Sequence, residues 1–421
     1  MKNVIRFTAV LLLIGLVAVP VSAQDIVRSA QKAAAPTQPP DEYAVGAFND
    51  LGILTLQSKD GAFKWWTDLR IFQYATGFWG GNKGDAFANG VWVDQFRLCL
   101  NFQWNTNWVA QADLEFDQNA TWQFQDMYIG WTGWKNSLLR FGHNKIPWGM
   151  QNLTTERYID LWTRAAYIDI FKGGRRTGIT YNRWGDKYEF EVGYYGAGAN
   201  DYVDPNNEDS GQRMAARISV TPVLTKDAVF HLGLAAHRDT PKSGSGDTVS
   251  MKTGYETGGL ADSMVSTGKI SNVDHTLLPN VELAVQVKGF KFLGEYGQYQ
   301  VTRYGGKPNV TTKGYYAEVN WFPSGYFKPY NAEVGEFGKV IPPDKKHGLV
   351  ELVLRYSDVN LNDLSASIKG GEGKITKLGL NYYMDYNMRW MFEAAHVQTD
   401  MYSVRKNDSF NYVAAGFQLC F

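Results

Sequence analysis

The sequence predicts an all-β chain, a 16-stranded antiparallel transmembrane β-barrel. Three observations predict it. Segments of about ten residues alternate apolar and polar side chains, the period that puts one set of residues on each face of a strand. The connections between these segments are by turns short and long. Tryptophans gather at segment ends (Trp65, Trp66, Trp79, Trp131, Trp134, Trp148, Trp184, Trp321), as the two interfacial girdles of a membrane barrel require, and for each single Trp a girdle and a core reading compete.

The chain opens with a short basic start containing Lys2 and Arg6, an apolar run from Ala9 to Val19, and Val21-Ser22-Ala23 as a small-residue cleavage site. This pattern predicts a signal peptide over 1–23 and an exported protein beginning at Gln24. A flexible periplasmic segment is expected over 24–45, which contains the Pro-rich stretch Ala33 to Pro40, and the barrel domain over 46–421. No later segment is long and apolar enough to span a membrane as a helix. No Cys follows the cleavage site closely, which leaves the periplasm or the outer membrane as destinations, and the alternation favours the second.

The first strand is expected over 63–79. The next, 93–104, sets Phe96, Leu98, Leu100, Phe102 and Trp104 against Gln95, Arg97, Cys99, Asn101 and Gln103. After Asn105-Thr106-Asn107 its partner, 107–117, has Trp108, Ala110, Ala112, Leu114 and Phe116 outward, with Gln111, Asp113, Glu115 and Asp117 inward. A charge at every second position suits a water-filled lumen and not a packed core. The same period marks 123–132, 137–144, 176–184, 187–196, 211–221, 228–238, 280–288, 291–302, 313–321, 348–357, 374–384, 387–397 and 410–421. In the last, Val413, Ala415, Phe417, Leu419 and Phe421 share one face, and a terminal aromatic of this kind resembles the assembly signal of outer-membrane proteins. An even strand count closes an antiparallel wall, so strand sixteen should pair with strand one.

The even-to-odd connections are short, as periplasmic turns are: Asn105 to Asn107, Gly133 to Asn136, Gly185-Asp186, Pro222 to Asp227, Gly289-Phe290 and Asp385-Tyr386. Phe322 to Gly348, rich in Pro and Gly, is the exception and fits no plain turn. Among the opposite connections, Lys145 to Arg175 and Asp239 to Pro279 are long. The Gly-rich stretch Gly254 to Gly259 reads as a mobile part of a polar external loop.

The 42 basic and 42 acidic residues balance, and loss of Lys2 and Arg6 with the leader tips the exported chain slightly acidic. No bulk positive field exists for nucleic acid or other polyanions. Cys99 and Cys420 fall on strands two and sixteen with strand one between them. At ~4.8 Å per strand their Cα atoms should be roughly 10 Å apart, too far for a disulfide. His143, His231, His237, His275, His347 and His396 lack the spacing of a zinc site or a catalytic pair. No phosphate-cradling glycine loop and no dinucleotide motif occur, and no cofactor or metal is expected.

Several segments resemble the phosphate-selective porin O and P family. They are Phe141-Gly142-His143-Asn144-Lys145-Ile146-Pro147-Trp148-Gly149, Arg176-Thr177-Gly178-Ile179, Asn331 to Pro343, His347 to Asp358, and Lys377-Leu378-Gly379-Leu380-Asn381-Tyr382-Tyr383 with Arg389 following. The resemblance implies a homotrimer of barrels in outer-membrane lipid through which small anions diffuse, in some members phosphate or polyphosphate. It also implies that the third external loop, Lys145 to Arg175, folds inward and narrows the channel.

A pore prefers anions when fixed positive groups stand at its narrowest point, where low-dielectric walls focus their field. The candidates on the loop are Lys145, Arg157, Arg164, Lys172 and Arg175, with Arg176 beginning the next strand. On the strands, Arg140, Arg213 and Arg217 fall on the inward face, as do Arg97, Arg355 and Arg389. Inward acids such as Asp113, Glu115, Asp126, Glu189, Glu191, Glu282 and Glu351 can neutralise them, and no ladder of arginines runs down one wall. A non-selective porin and an adhesion barrel with a blocked lumen, displaying Asp239 to Pro279, are the alternative readings. No grouped nucleophile, base and orienting residue supports an enzyme.

Overall fold

The computed structural model describes residues 54–421 except 59, 61, 82–86, 88, 118–120, 200–210, 242–246, 259–262 and 345. The leader 1–23, the segment 24–45 and the first residues of the expected barrel domain lie outside the described residues. The wall is built of 16 antiparallel strands. They are β1 (Phe63–Trp79), β2 (Gly90–Trp104), β3 (Trp108–Asp117), β4 (Trp122–Trp131), β5 (Ser137–Lys145), β6 (Arg175–Trp184), β7 (Tyr188–Tyr195) and β8 (Gln212–Leu224). The second half comprises β9 (Ala228–Thr240), β10 (Val273–Val287), β11 (Phe290–Arg303), β12 (Val310–Trp321), β13 (Leu349–Asp363), β14 (Ile368–Tyr383), β15 (Met388–Thr399) and β16 (Ser409–Cys420). A short leading strand, Leu54–Gln57, pairs with the start of β1.

Each strand pairs with its sequence neighbours, and β1 closes the wall on β16, with Arg70 opposite Cys420 and Trp79 opposite Asn411. The Phe421 N–H donates to the Leu69 carbonyl at 2.9 Å, one residue beyond the ladder. β1 lies between the two cysteines, with Asp68 opposite Cys99. Several strands run longer than their period alone indicates. β10 begins at Val273 rather than 280, because it keeps pairing with β9 and β11 beyond the last clean alternation.

Burial is inverted relative to a water-soluble protein. On β8, Met214, Ile218 and Val220 are exposed, while Arg213, Arg217 and Ser219 between them are buried. In water such an apolar band would be an association surface; facing hydrocarbon it is the stable arrangement, and closure leaves no unpaired strand edge. Trp104 stacks on Trp108, which meets Trp131 edge-on at 4.9 Å, and Phe290 stacks on Trp321 at 5.8 Å. These pairs ring the short-turn rim. Trp79 and Trp122 are exposed at the other.

Two tryptophans read as girdle residues are not. Trp148 is 0% exposed, and its indole N–H donates to the Leu278 carbonyl at 3.0 Å. Trp184 is buried on the same face of β6 as Thr180 and Asn182. An indole satisfies a polar wall as readily as a membrane interface, because it carries both an apolar body and a donor.

The turns after β2, β4, β6, β8, β10 and β14 are short. In the first, Asn105 and Thr106 both take positive φ (49° and 57°), the pairing that tight hairpin turns require. The connection 322–348 carries a small hairpin, Tyr330–Asn331 with Glu336–Phe337. On the opposite side, 146–174 holds two short helices, α1 (Met150–Leu153) and α2 (Ala166–Phe171), and 241–272 holds a hairpin of Val249–Thr253 with Val265–Ile270. The stretch from Gly254 differs from its sequence reading: Tyr255, Glu256 and Thr257 are buried. Gly259 lies outside the described residues.

A basic cavity between the third loop and the wall

Inward-facing residues of β10, β11 and β13 to β15 engage loop 146–174 along its length. The Gln151 N–H donates to Glu295 at 2.8 Å, and the Tyr167 hydroxyl donates to Asn280. Asn381 donates to the Asp160 carbonyl at 2.7 Å, Arg389 to Ile159 at 2.8 Å and Arg355 to Thr163 at 2.8 Å. Each satisfies a backbone or side-chain group that would otherwise be buried unpaired, at a cost of roughly 1–3 kcal/mol apiece.

The connection 322–348 reaches the same loop from the other rim. Lys328 donates to the Tyr158 carbonyl at 2.7 Å and pairs with Asp160, whose other carboxylate oxygen takes Lys291 of β11. Burial pushes the Asp160 carboxyl up, but Lys291 and Lys328 outweigh it and hold it well below the usual carboxylate range. The guanidinium of Arg217 lies between Glu282 at 2.7 Å and Glu189 at 2.9 Å and donates to the carbonyls of Val334 and Gly335. Gly335 has φ 62°, and a Cβ there would lie 2.4 Å from Ser219 Oγ, so only glycine lets the turn approach this closely.

What these two segments leave open is a cavity of about 260 Å³ against the wall of β1 to β7. Six cationic side chains line it: Arg70, Arg97, Arg140, Lys145, Arg157 and Arg175, against four carboxylates, Asp113, Asp126, Glu191 and Glu336. Arg175 forks onto Asp126 with two bonds of 3.1 Å. Arg140 pairs with Glu191 and lies 5.7 Å from the Tyr128 ring centre. Arg97 takes Glu115 and Glu156, and Asp68 is shared by Arg70 and Arg157. The Nε of Arg140 and that of Arg157 are buried without a hydrogen-bond partner.

Of the basic residues singled out from sequence, the structure brings Arg97, Arg140, Lys145, Arg157 and Arg175 to this cavity. Lys145 reaches it with its ammonium already committed to the carbonyls of Asn152, Leu153 and Thr154 at 2.7 to 3.3 Å. Arg164 is a buried brace that pairs with Glu156 at 2.7 Å and donates to the carbonyls of Gln151 and Thr154. Lys172 is partly exposed and pairs with Asp169. Arg176 and Arg213 line a separate cavity of about 230 Å³ with Asp239, and Arg217 is locked on the wall. Arg157, Arg164 and Arg176 therefore do not share one opening. Sequence reasoning missed Arg70. Its face of β1 also carries buried Phe72 and Tyr74, which hides the polar period.

The comparisons with known proteins agree with this architecture. Porin O of Pseudomonas aeruginosa is 21% identical over 339 residues, 72% of this chain and 75% of that protein. An anion-selective porin from Comamonas acidovorans superposes with a TM-score of 0.54 at 13% identity, over 85% of this chain and 100% of that one. The outer-membrane channel DcaP of Acinetobacter baumannii does so at 0.53 and 12%, over 87% and 99%. OmpT of Vibrio cholerae in its trimer form gives 0.53 and 12%, over 86% and 100%. At these identities the solved structures speak for the fold. The model of the phosphate-selective porin O and P family matches residues 82–421, so this chain belongs to that family, a β-barrel porin of the bacterial outer membrane and a channel rather than an enzyme.

Proposed function

We propose that this porin passes small solutes by diffusion with a preference for anions, and that loop 146–174 forms the constriction by narrowing the lumen to the cavity beside β1 to β7. The carrying observation is the set of six cationic side chains against four carboxylates around that cavity. Fixed charges at a narrow, low-dielectric passage act on an ion that has shed part of its water, whereas the balanced charge of the whole chain does not. The description of the Comamonas acidovorans porin as anion-selective supports the same reading.

Phosphate is expected to pass without being held tightly. The cavity arginines already fork onto internal carboxylates, and an incoming phosphate must compete with partners tethered at the same place. Assembly as a trimer in outer-membrane lipid, and export with cleavage after Ala23, complete the proposal.

The decisive measurement is the reversal potential of the purified protein in planar bilayers under a potassium chloride gradient. An anion-selective sign is expected, and a cation-selective sign would refute the preference. Absence of single-channel steps would favour a blocked barrel. Chloride current unaffected by millimolar phosphate agrees with weak phosphate binding, and strong block at that level would overturn it.

A further inference from the structure

Glu256, on connection 241–272, lies away from the cavity beside β1 to β7. It has φ 59°, a left-handed conformation that costs a non-glycine residue of order 1 kcal/mol or more and persists only where its surroundings enforce it. The surroundings are specific. Its carboxylate accepts the Ala166 N–H at 2.7 Å and Arg355 Nη2 at 2.6 Å, with Lys377 Nζ 3.5 Å away. Its backbone carbonyl accepts from Lys377, Thr163 and Tyr412, each at 3.0 Å. A Cβ on Gly258, which follows closely, would lie 2.7 Å from the Trp162 ring, so the segment can lie this close to loop 146–174 only with glycine there.

Arg355 and Lys377 are both fully buried on adjacent strands, β13 and β14, opposite one another in register. Two cations on one stretch of wall need negative partners. Glu393 lies 3.2 Å from Lys377 and Glu318 is 3.5 Å from Arg355, yet the Nη1 and Nε of Arg355 make no hydrogen bond. Both oxygens of Glu318 are likewise without a hydrogen bond, so it faces Arg355 without bonding to it, and the carboxylate that does hydrogen-bond to the guanidinium is carried in by an external loop. A planar carboxylate on an arginine fork, an ammonium and a backbone N–H is how a small carboxylate solute would be recognised. None of Glu256, Arg355 and Lys377 lines the cavity beside β1 to β7.

We propose that Arg355 and Lys377 form a second anion site, selective for small carboxylates, and that Glu256 occupies it as a tethered internal ligand. A free carboxylate that takes the pair displaces Glu256 and opens a second, wider conducting state along β13 to β16. The inference rests on the channel reading above but not on its sign of selectivity.

Single-channel recording on the full protein tests it, with sodium acetate titrated at constant chloride. Acetate should raise the occupancy of an upper conductance level in the unaltered protein. Glu256→Ala should occupy that level without acetate, with a shift of at least about tenfold, since the variant loses the two charge-assisted hydrogen bonds of the carboxylate. Glu256→Gln keeps the shape and one acceptor while removing the charge. It provides a folded comparison if the alanine variant assembles poorly, and it should shift in the same direction. Equal levels and occupancies in the unaltered protein and Glu256→Gln, or acetate with no effect on occupancy, would overturn the proposal. A cation-selective reversal potential with acetate-dependent levels would instead refute the anion preference and leave this site standing.

Discussion

Asp160→Asn is the most informative single perturbation of this barrel. The Asp160 carboxylate is buried between two buried ammonium groups, Lys291 on one oxygen and Lys328 on the other. Asparagine keeps one acceptor but turns an N–H donor toward the second lysine and takes from both cations the carboxylate they pair with directly. Removing one partner from a buried ion pair costs about 3–5 kcal/mol, mostly the penalty of the stranded charge. That cost falls on the contacts of loop 146–174 with connection 322–348 and with Lys291 of β11, not on the strand ladders, which do not pass through Asp160. Even 3 kcal/mol shifts the equilibrium between joined and separated segments by more than about a hundredfold. The expected result is an unchanged unfolding temperature of the barrel by circular dichroism, together with larger open-channel current noise and higher mean conductance. Lys291→Met with Lys328→Met in the same chain should quiet the current again, because apolar replacements of similar volume relieve the stranded charges. Wild-type noise and conductance in Asp160→Asn alone would refute the claim that this carboxylate joins the two segments.

Three further outcomes follow from the same geometry. Arg157→Gln removes one cavity cation while Asp68 keeps Arg70; a unit charge ~8 Å from the ion path in a water-like dielectric is worth ~0.5 kcal/mol to each ion with opposite sign, ~1 kcal/mol between anion and cation, so the anion-to-cation permeability ratio should fall about fivefold, read from the reversal potential at low salt, and the difference should shrink at 1 M salt. Gly335→Ala places a methyl 2.4 Å from Ser219 Oγ at a positive φ, which should cost at least ~1 kcal/mol and expose connection 322–348 to limited proteolysis while the strands stay protected. For pH, the Asp160 carboxyl is held low in the folded state, so its contribution is fully present above the ordinary carboxylate value of about 3.9 and is lost only as pH falls below it toward the depressed folded value; current noise should stay constant from pH 8 to 5 and rise only under stronger acid.

The wall was largely legible in the sequence, since a strand between lipid and water must alternate, and the short connections mark one rim. Arg213 and Arg217 faced inward as their parity with Met214 and Ile218 required. What parity could not reach was the filling of the lumen. Glu256 sits in a glycine-rich polar stretch that reads as surface, and Lys328 meets Asp160 across 168 positions of sequence. In a water-soluble protein polarity signals the outside. Inside a barrel the lumen is also polar, so composition cannot separate a loop that leaves the protein from one that enters it. Trp148 misled for a related reason, its indole suiting a buried polar wall as well as a membrane rim. Arg175 and Arg176 illustrate the finest limit: adjacent in sequence, they line different cavities.

The bonds that hold loop 146–174 and connection 322–348 are distributed unevenly around the circumference. They fall on β1, β2, β5, β8 to β11 and β13 to β15, while β3, β4, β6 and β7 supply much of the cavity lining. β3, β4, β6 and β7 thus chiefly bound the cavity, whereas β1, β2 and β5 both bound it and brace loop 146–174. Side chains on these cavity-bounding strands, such as Gln111 and Tyr128, should be exchangeable with little effect on the braces opposite. A wall divided in this way lets a lineage of porins retune what passes by local substitution while assembly is preserved.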